Sequence, residues 1–489
     1  MLFERPRVVI AGLKGGSGKT TLSLGLLRHW RNSGLKVVPF KKGPDYIDSA
    51  WLGSAAGHDC HNLDTFIMPQ ERLLTSLATN SVGADLLLIE GNRGLFDGVD
   101  SRGTFSTAAL AKLTNSPVIL VVDCVKATTT IGVIVKGVAE FDRALGVKAV
   151  VLNQIANSRH AGVIKEAIEN YTSLSVLGAL KRSNIPILPE RHMGLVSHDE
   201  YGTVERSLES TGALVSQNVD TGRILEIART APPLDLDIPD FLPCPNYSNP
   251  QMTQINADKI QDPLPCPALR PLRIGLVRDN AFQFYYPENI DALVASGAEI
   301  VGISALADMA LPPIDALYIG GGFPETQAIK LSGNVEFRRS LKNAVEEGLP
   351  VYAECGGLMF LGRNIIYNNK MFPMADIFPM DFVMEDKPEA HGYTIVEVCD
   401  DNPFYEKGVK LRGHEFHYSK VTVAEGTPEA VKFKFAFRMD RGKGIAGGMD
   451  GLVYKNVLAT YTHVHALGSY EWVRGMISAA EAFRRRRNI

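Results

Sequence analysis

The sequence predicts an α/β protein of two domains, each built around a largely parallel sheet. Three observations carry that prediction. Short runs rich in Val, Ile and Leu alternate with helix-length segments over most of the chain. A stretch from Pro232 to Pro271 interrupts the alternation and holds ten of the chain's 27 prolines. Beyond it the alternation starts afresh. With 489 residues, the polypeptide is also too long for one compact core, so a boundary is expected on size alone.

Taken in order, the first runs are RVVIAGL (7–13), KVVPFK (36–41), DLLLIEG (85–91), PVILVVDC (117–124) and VKAVVLNQI (147–155). All are apolar on both faces, the pattern of parallel strands buried between helices. The intervening TTLSLGLLRHWRNSG (20–34) has helical periodicity and closes on Gly34, a residue suited to a helix C-terminus. A doubly wound domain is therefore expected over residues 1–231. The proline-dense segments APPLDLDIPDFLPCPNYSNP and DPLPCPALRP read as an extended linker, 232–271. LRIGLVRD (272–279), ALYIGGG (316–322) and PVYAECGG (350–357) then open a second α/β domain, 272–489.

Apolar residues make up 45% of the chain, charged residues 21%, and the formal net charge is -3. Those values describe an ordinary soluble protein and give no reason to expect nucleic acid or an acidic membrane as partner. The terminal Arg484 to Arg487 read as a solvated helix end that complements the negative pole of the helix. Cysteines stand at 60, 124, 244, 266, 355 and 399, with no CxxC pair. A disulfide framework or structural zinc site is not expected, and a reducing compartment is. The N-terminus lacks the apolar segment of a secretory signal, and no apolar run approaches the ~18 residues of a membrane span. Cytoplasm is the expected location.

GLKGGSGKTT (12–21) follows a strand and opens a helix, which is the setting of a phosphate-binding loop. The first glycine of the general pattern is replaced by Leu13, and Lys14 is an added cation. Backbone amides of Gly15, Gly16, Ser17, Gly18 and Lys19 can face a phosphate, Lys19 can reach the β- and γ-phosphates, and the Thr20 hydroxyl can take Mg2+. The metal needs carboxylates as well. FKKGPDYIDS supplies Asp45 and Asp48, and LLLIEGNRGLFDG supplies Glu90 and Asp97, at predicted strand ends where such sheets bind ligands. Lys14 also resembles the added lysine of partition and septum-placing ATPases, which dimerise over nucleotide. From residues 1–30 alone, a mechanical switch and a small-molecule enzyme are equally open.

The second domain separates them. PVYAECGGLMFLG puts Cys355 on a tight strand-to-helix bend before two glycines, where a thiol is expected to be exposed and its thiolate favoured. The glycines of YIGGGFPE, Gly320 to Gly322, end another strand and can offer oxyanion N–H groups with Gly356. LATYTHVHALG places His463 and His465 on alternate positions of a strand end, hence on one face, so that either can act as base. GHEFHYS (413–419) has two histidines and a glutamate but no third ligand cluster nearby, which argues against a metal site.

These motifs together resemble the cobyrinic acid a,c-diamide synthase family. Residues 1–231 are similar to its P-loop, dethiobiotin-synthetase-like ATP domain, and residues 272–489 to a class I glutamine amidotransferase domain. KKGPDYIDS, IEGNRGLFDG, VVLNQIANSRH, LPERHMGLV, RDNAFQFYYPENIDAL, YIGGGFPE, ECGGLMFLG and GHEFHYS carry the resemblance. It implies a two-site ligase. Cys355 would attack the side-chain amide of L-glutamine with His463, of the Tyr-x-His pattern, moving the proton, His465 being the reserve. Gly321, Gly322 and Gly356 would form the oxyanion hole. Many class I enzymes carry His-x-Glu where this chain has His-Val-His, so the third, orienting member is expected to be absent or altered.

At the other site ATP would convert a carboxylate of a tetrapyrrole polycarboxylate to an acyl phosphate that ammonia displaces. Residues Lys14 to Thr21 would hold the nucleotide phosphates, Asn153 the adenine, and Thr20, Asp45 and Glu90 the Mg2+. Asp45, Tyr46 and Asp97 would line the substrate cleft. Ammonia must pass between the sites unprotonated, so the resemblance implies domains that face each other. Two departures stand out. Lys14 is unusual for the family and either adds a phosphate contact or reaches across a homodimer. After GPDYID the chain reads SAWLGSAAGHDC where the family commonly has proline and a nearby histidine. Cobyrinate is the first expectation for the macrocycle; sirohydrochlorin, sirohaem and nickel-sirohydrochlorin are the others. The expectation of another class is a nucleotide switch with a retired amidotransferase domain.

Overall fold

Apolar runs of the first half become the strands of one sheet, with helices between them. In chain order these are β1 (Arg7–Gly12), α1 (Lys19–Asn32), β2 (Val37–Lys42), α2 (Ile47–Ala56), β3 (His61–Leu63), α3 (Gln70–Thr79) and β4 (Leu86–Glu90). They continue with α4 (Thr107–Leu113), β5 (Val118–Asp123), α5 (Thr129–Phe141), β6 (Val147–Ile155), α6 (Ser158–Tyr171), β7 (Ser175–Lys181), α7 (Val204–Asn218) and α8 (Thr221–Arg229). The computed structural model describes residues 2–182, 190–191, 194–195, 204–236, 270–423 and 434–487. Most of the proline-rich stretch (237–269) and of LPERHMGLV lies outside the described residues. The chain divides into two units, Met1–Asp240 and Phe241–Ile489.

In the first unit the strand order is β3-β2-β4-β1-β5-β6-β7, all parallel. β3 and β7 are additions to the five strands read from sequence. β1 is central, and the order reverses on either side of it, so a crevice opens at the carboxyl ends of β1, β4 and β2. Those ends carry the phosphate loop, Glu90 and the Lys41–Lys42 pair. Val8, Ile10, Leu26, Trp30, Leu88, Val121 and Val151 pack into the core beneath.

The second unit opens with β8 (Leu272–Val277), α9 (Pro287–Ala295), β9 (Ala298–Ile303), β10 (Ala316–Ile319), α10 (Val335–Glu346), β11 (Val351–Glu354) and α11 (Gly356–Leu361). There follow β12 (Ala390–Val398), β13 (Lys410–His417), β14 (Lys434–Arg441), β15 (Met449–Tyr454), β16 (Val457–Thr460), β17 (His463–Val464) and α12 (Tyr470–Arg487). Its sheet runs β9-β8-β10-β11-β16-β15-β14-β12-β13-β17. The first five strands are parallel and the rest antiparallel. The antiparallel half was not read from the sequence.

One connection fixes the shape of this sheet. Only Tyr461 and Thr462 separate β16, in the middle, from β17, at the edge. Three Cα steps span at most about 11 Å. The sheet must therefore curl until its far edge returns beside β16, which brings β13 to the carboxyl end of β11. Among the described residues no helix is long and apolar enough to cross a membrane.

Candidate active sites

In the first unit the phosphate loop joins β1 to α1. Gly18 sits at φ 94°, in the left-handed region, and a Cβ there would fall 2.0 Å from Asn153 Nδ2. Glycine is required on both counts. Asn153 Nδ2 donates to the Ser17 carbonyl at 3.0 Å, so the side chain assigned above to the adenine braces the loop from beneath. Ser17 is fully buried, and its hydroxyl donates to the Lys14 carbonyl at 2.9 Å. Gly15 and Gly16 form the exposed crest, and Thr20 and Thr21 lie in the first turn of α1, whose N-terminus has no side-chain cap. Lys14 Nζ lies 3.1 Å from Asp123 Oδ2.

Lys19 donates to the carbonyls of Lys14 (3.2 Å) and Arg93 (2.8 Å). Burial and the neighbouring Lys41 hold its ammonium below the ordinary lysine range. Beneath it, Thr20 Oγ1 donates to Glu90 Oε1 at 3.0 Å, and Lys41 Nζ meets Glu90 Oε1 and Asp48 Oδ2 at 2.6 Å each. Lys41 is only 2% exposed. Burial would lower its pKa, but Asp48, Glu90 and Asp45 raise it well above the ordinary value, so the ammonium is secure. Asp45 stands farther off, 3.9 Å from Lys41 Nζ, and accepts the Asp48 backbone N–H at 2.9 Å. Desolvation and the adjacent Asp48 push its carboxyl up to about 7 against the pull of Lys41. Tyr46 immediately precedes α2. Asp97 is exposed, caps its own turn by accepting the Gly94 N–H at 2.9 Å, and acts through space on Lys19.

The donors that could hold Mg2+ here are all oxygens, as that ion demands. Glu90 is fully buried, and its Oε2 has no hydrogen-bond partner among the described residues. A buried carboxylate oxygen left over beside a Thr hydroxyl fits a hard cation.

In the second unit, β11 pairs in parallel with β16 so that Glu354 lies opposite Thr460, and Cys355 N donates to the Thr460 carbonyl at 2.8 Å. Both strands stop there. Cys355 turns the chain at φ 47°, ψ -98°, a strained conformation for a non-glycine residue. The bend agrees with expectation but the exposure does not: Cys355 is 6% accessible, because the curled sheet lays β13 over it and the Phe416 carbonyl stands 3.8 Å from Sγ.

The His463 imidazole bridges Cys355 and Glu354. Its Nδ1 lies 3.1 Å from Glu354 Oε2, and it also hydrogen-bonds the Cys355 thiol. Burial alone would lower the His463 pKa, but its hydrogen bonds to Cys355 and Glu354 raise it to about 10. His414, which pairs with His463 across β13 and β17, stacks on its ring at 4.8 Å between centroids. Burial and the neighbouring His463 hold His414 well below the ordinary imidazole value, so it is the neutral member of the pair. Gly321 abuts the same imidazole, for a Cβ there would be 2.7 Å from His463 Cε1. Gly356 packs on the backbone of Gly321 and Gly322, so the three glycines expected at an oxyanion come together around Cys355.

His465 lies just past the strand that carries His463. β17 ends at Val464, and the His465 carbonyl accepts the N–H groups of Gly468 and Ser469 as a turn begins. Its ring lies against Tyr286, with Nε2 3.4 Å from Glu288 Oε2. In GHEFHYS, the Glu415 carboxylate accepts backbone N–H groups of Lys443 and Gly444. No group of three His, Cys, Asp or Glu side chains arranged to hold a metal ion occurs among the described residues, so any ion at the phosphate loop would draw on Thr20 and phosphate oxygens as well.

With this geometry in place, two family models match. One, described as a CobB/CobQ-like glutamine amidotransferase domain, covers residues 273–471. The other, a CobQ/CobB/MinD/ParA nucleotide binding domain, covers 8–196. The cobyrinate a,c-diamide synthase of Magnetococcus marinus is 39% identical over 473 residues, 96% of each chain. That of Archaeoglobus fulgidus is 37% identical over 98% of each chain. That of Listeria monocytogenes is 36% identical over 97% of this chain and 99% of the relative. The chain belongs to the cobyrinate a,c-diamide synthase family. It is a glutamine-dependent amide ligase by that membership, with a nucleotide-binding domain ahead of the amidotransferase domain.

Three residues of this family member were passed over by sequence reasoning. Lys41 was quoted only as part of a strand, yet it binds Glu90 and Asp48 together. Glu354 immediately precedes Cys355, and its carboxylate meets His463 Nδ1. Asp450 is fully buried and accepts from the hydroxyls of Thr460 (2.6 Å) and Thr462 (2.9 Å) and the N–H groups of Tyr461 and Thr462 (3.0 Å each). It fixes the turn that aims His463. The paired threonines of TYTH were the available signal, since two hydroxyls around a buried turn call for one acceptor.

Proposed function

We propose that the chain amidates the a- and c-acetate carboxylates of cobyrinate, using ATP and glutamine. The observation that carries the reading is the near end-to-end similarity to relatives named for that reaction. The arrangement of residues at both centres supports it.

At the amidotransferase centre, with the Cys355 proton held on the His463 imidazole, the sulfur attacks the side-chain carbonyl carbon of glutamine. The N–H groups around Gly321, Gly322 and Gly356 face the charge that develops on oxygen. His463 returns the proton to the departing nitrogen, ammonia leaves, and water hydrolyses the thioester to glutamate. At the synthetase centre, hydroxide is too poor a leaving group for ammonia to displace from a carboxylate. Transfer of the γ-phosphoryl group of ATP to a carboxylate oxygen gives an acyl phosphate, from which phosphate departs readily. Lys19 and the loop amides hold the transferring group, and Thr20, Glu90 and Asp45 or Asp48 would hold Mg2+. That ion supplies neutralisation of phosphate charge. Tyr46 and Asp97 border the crevice for the macrocycle, and Lys41 holds Glu90 and Asp48 in place.

The test is mass spectrometry of purified protein incubated with ATP, glutamine and a panel of cobyrinate, sirohydrochlorin, sirohaem and nickel-sirohydrochlorin. The expected result is two successive conversions of acid to primary amide on cobyrinate alone. Conversion of another macrocycle reassigns the substrate, and conversion of none contradicts the ligase reading.

A further inference from the structure

A carboxylate with no access to water is costly unless donors surround it. Glu354 is fully buried, and its two oxygens take three donors. Oε2 accepts from Tyr318 OH at 3.0 Å and from His463 Nδ1 at 3.1 Å, and Oε1 accepts the Val464 N–H at 3.2 Å. Two of the three come from β17, so the carboxylate fixes both the strand and the ring upon it. The residue two places beyond His463 cannot do this, for His465 turns away to Glu288 and Tyr286. The bend at Cys355 makes the arrangement feasible. With that positive φ, the thiol and the Glu354 carboxylate both reach the His463 imidazole, although the two residues are adjacent in the chain.

We propose that Glu354 is the positioning carboxylate of the glutaminase centre, holding Nδ1–H of His463 so that Nε2 faces Cys355 and the imidazolium is steadied when the thiol proton moves to it. The inference rests on the glutamine-hydrolysing role of Cys355. Both ends of the relay thus come from one strand terminus, with the histidine inserted from a strand more than a hundred residues later. The groups facing the His463 ring or the thiol are Glu354 and Tyr318 from β11 and β10, His414 from β13, and Tyr461 from the turn before β17. His414 and His465 act on each other within the same cluster. Glu354 is the one carboxylate among them.

The experiment compares glutamine hydrolysis by the full chain with that of Glu354→Gln and Glu354→Asp. Glu354→Gln keeps the shape and removes the charge, and its kcat is expected to fall about 10²-fold or more while KM stays within about threefold. Glu354→Asp restores charge with shorter reach, and is expected to recover about tenfold over Glu354→Gln. A second readout is the rate at which iodoacetamide alkylates Cys355, followed on its peptide. The wild type is expected to react about as fast at pH 6 as at pH 8, and Glu354→Gln about tenfold more slowly at pH 6. A merely structural glutamate would lower the folded fraction and leave that pH dependence untouched. Wild-type kcat and pH dependence in Glu354→Gln, or an aspartate variant no better than glutamine at equal folded fraction, would overturn the proposal. If Glu354→Gln does not fold, the aspartate variant's alkylation profile decides by the same criterion. A wild type that releases no glutamate contradicts the functional reading itself, whereas an active wild type with an indifferent glutamate contradicts the role of Glu354 alone.

Discussion

Lys41 concentrates the charge balance of the synthetase centre in one side chain. Its ammonium is the common partner of Glu90 and Asp48, at 2.6 Å from each. Removing it strands a fully buried carboxylate, a change that costs about 3–5 kcal/mol when one member of a buried pair is deleted. Lys41→Met should therefore lower the denaturant midpoint and abolish amide synthesis with either nitrogen donor. His463 gives a prediction in pH. Its folded value of about 10 lies above the ordinary 6.5 because Cys355 and Glu354 outweigh the effect of burial. A raised histidine stabilises the folded state fully below about 6.5, and that contribution is lost as pH rises through about 10. The kcat/KM for glutamine hydrolysis should accordingly hold through neutral pH and fall on an alkaline limb near that value. A limb near the ordinary imidazole value would contradict the bridged geometry.

At the scale of elements, the decisive feature is where strands stop. β11 and β16 end side by side, so Cys355 and the turn to His463 emerge at one place. Asp450, at the start of β15, ties that turn through four donors from Thr460 to Thr462. Asp450→Asn removes acceptor capacity from a buried cluster and should destabilise the fold by about 1–3 kcal/mol. It should also slow glutamine hydrolysis by about tenfold through the loosened His463; thermal melting and a glutamate-release assay would check the two effects. The same scale explains what the sequence disclosed. Local signals, the glycines between β1 and α1 and the Cys-Gly-Gly bend, were legible because neighbours in sequence create them. Glu354 was not, since its partnership with His463 depends on pairing between strands a hundred residues apart. The partners of His465 were not legible for a similar reason. Alternation predicts a shared face only while the strand lasts, and β17 lasts two residues. Asn153 likewise sits on a legible strand, but its packing beneath Gly18 is a tertiary fact.

For the whole molecule, the proposed reaction divides into liberation of ammonia by the second unit and activation of a carboxylate by the first. Lys19 belongs to the latter. Lys19→Met should lower ammonium-dependent synthesis by about 10²–10³-fold, the usual cost of deleting one preorganised charge at a transferring group. A steady-state assay of amide formation from ammonium salts would check it. Cys355→Ser separates the two chemistries when amide formation is measured with glutamine and, in parallel, with ammonium chloride at equal ATP. The variant should make no amide from glutamine while retaining the wild-type rate from ammonium. Equal loss with both donors, or unimpaired use of glutamine, would contradict the division of labour.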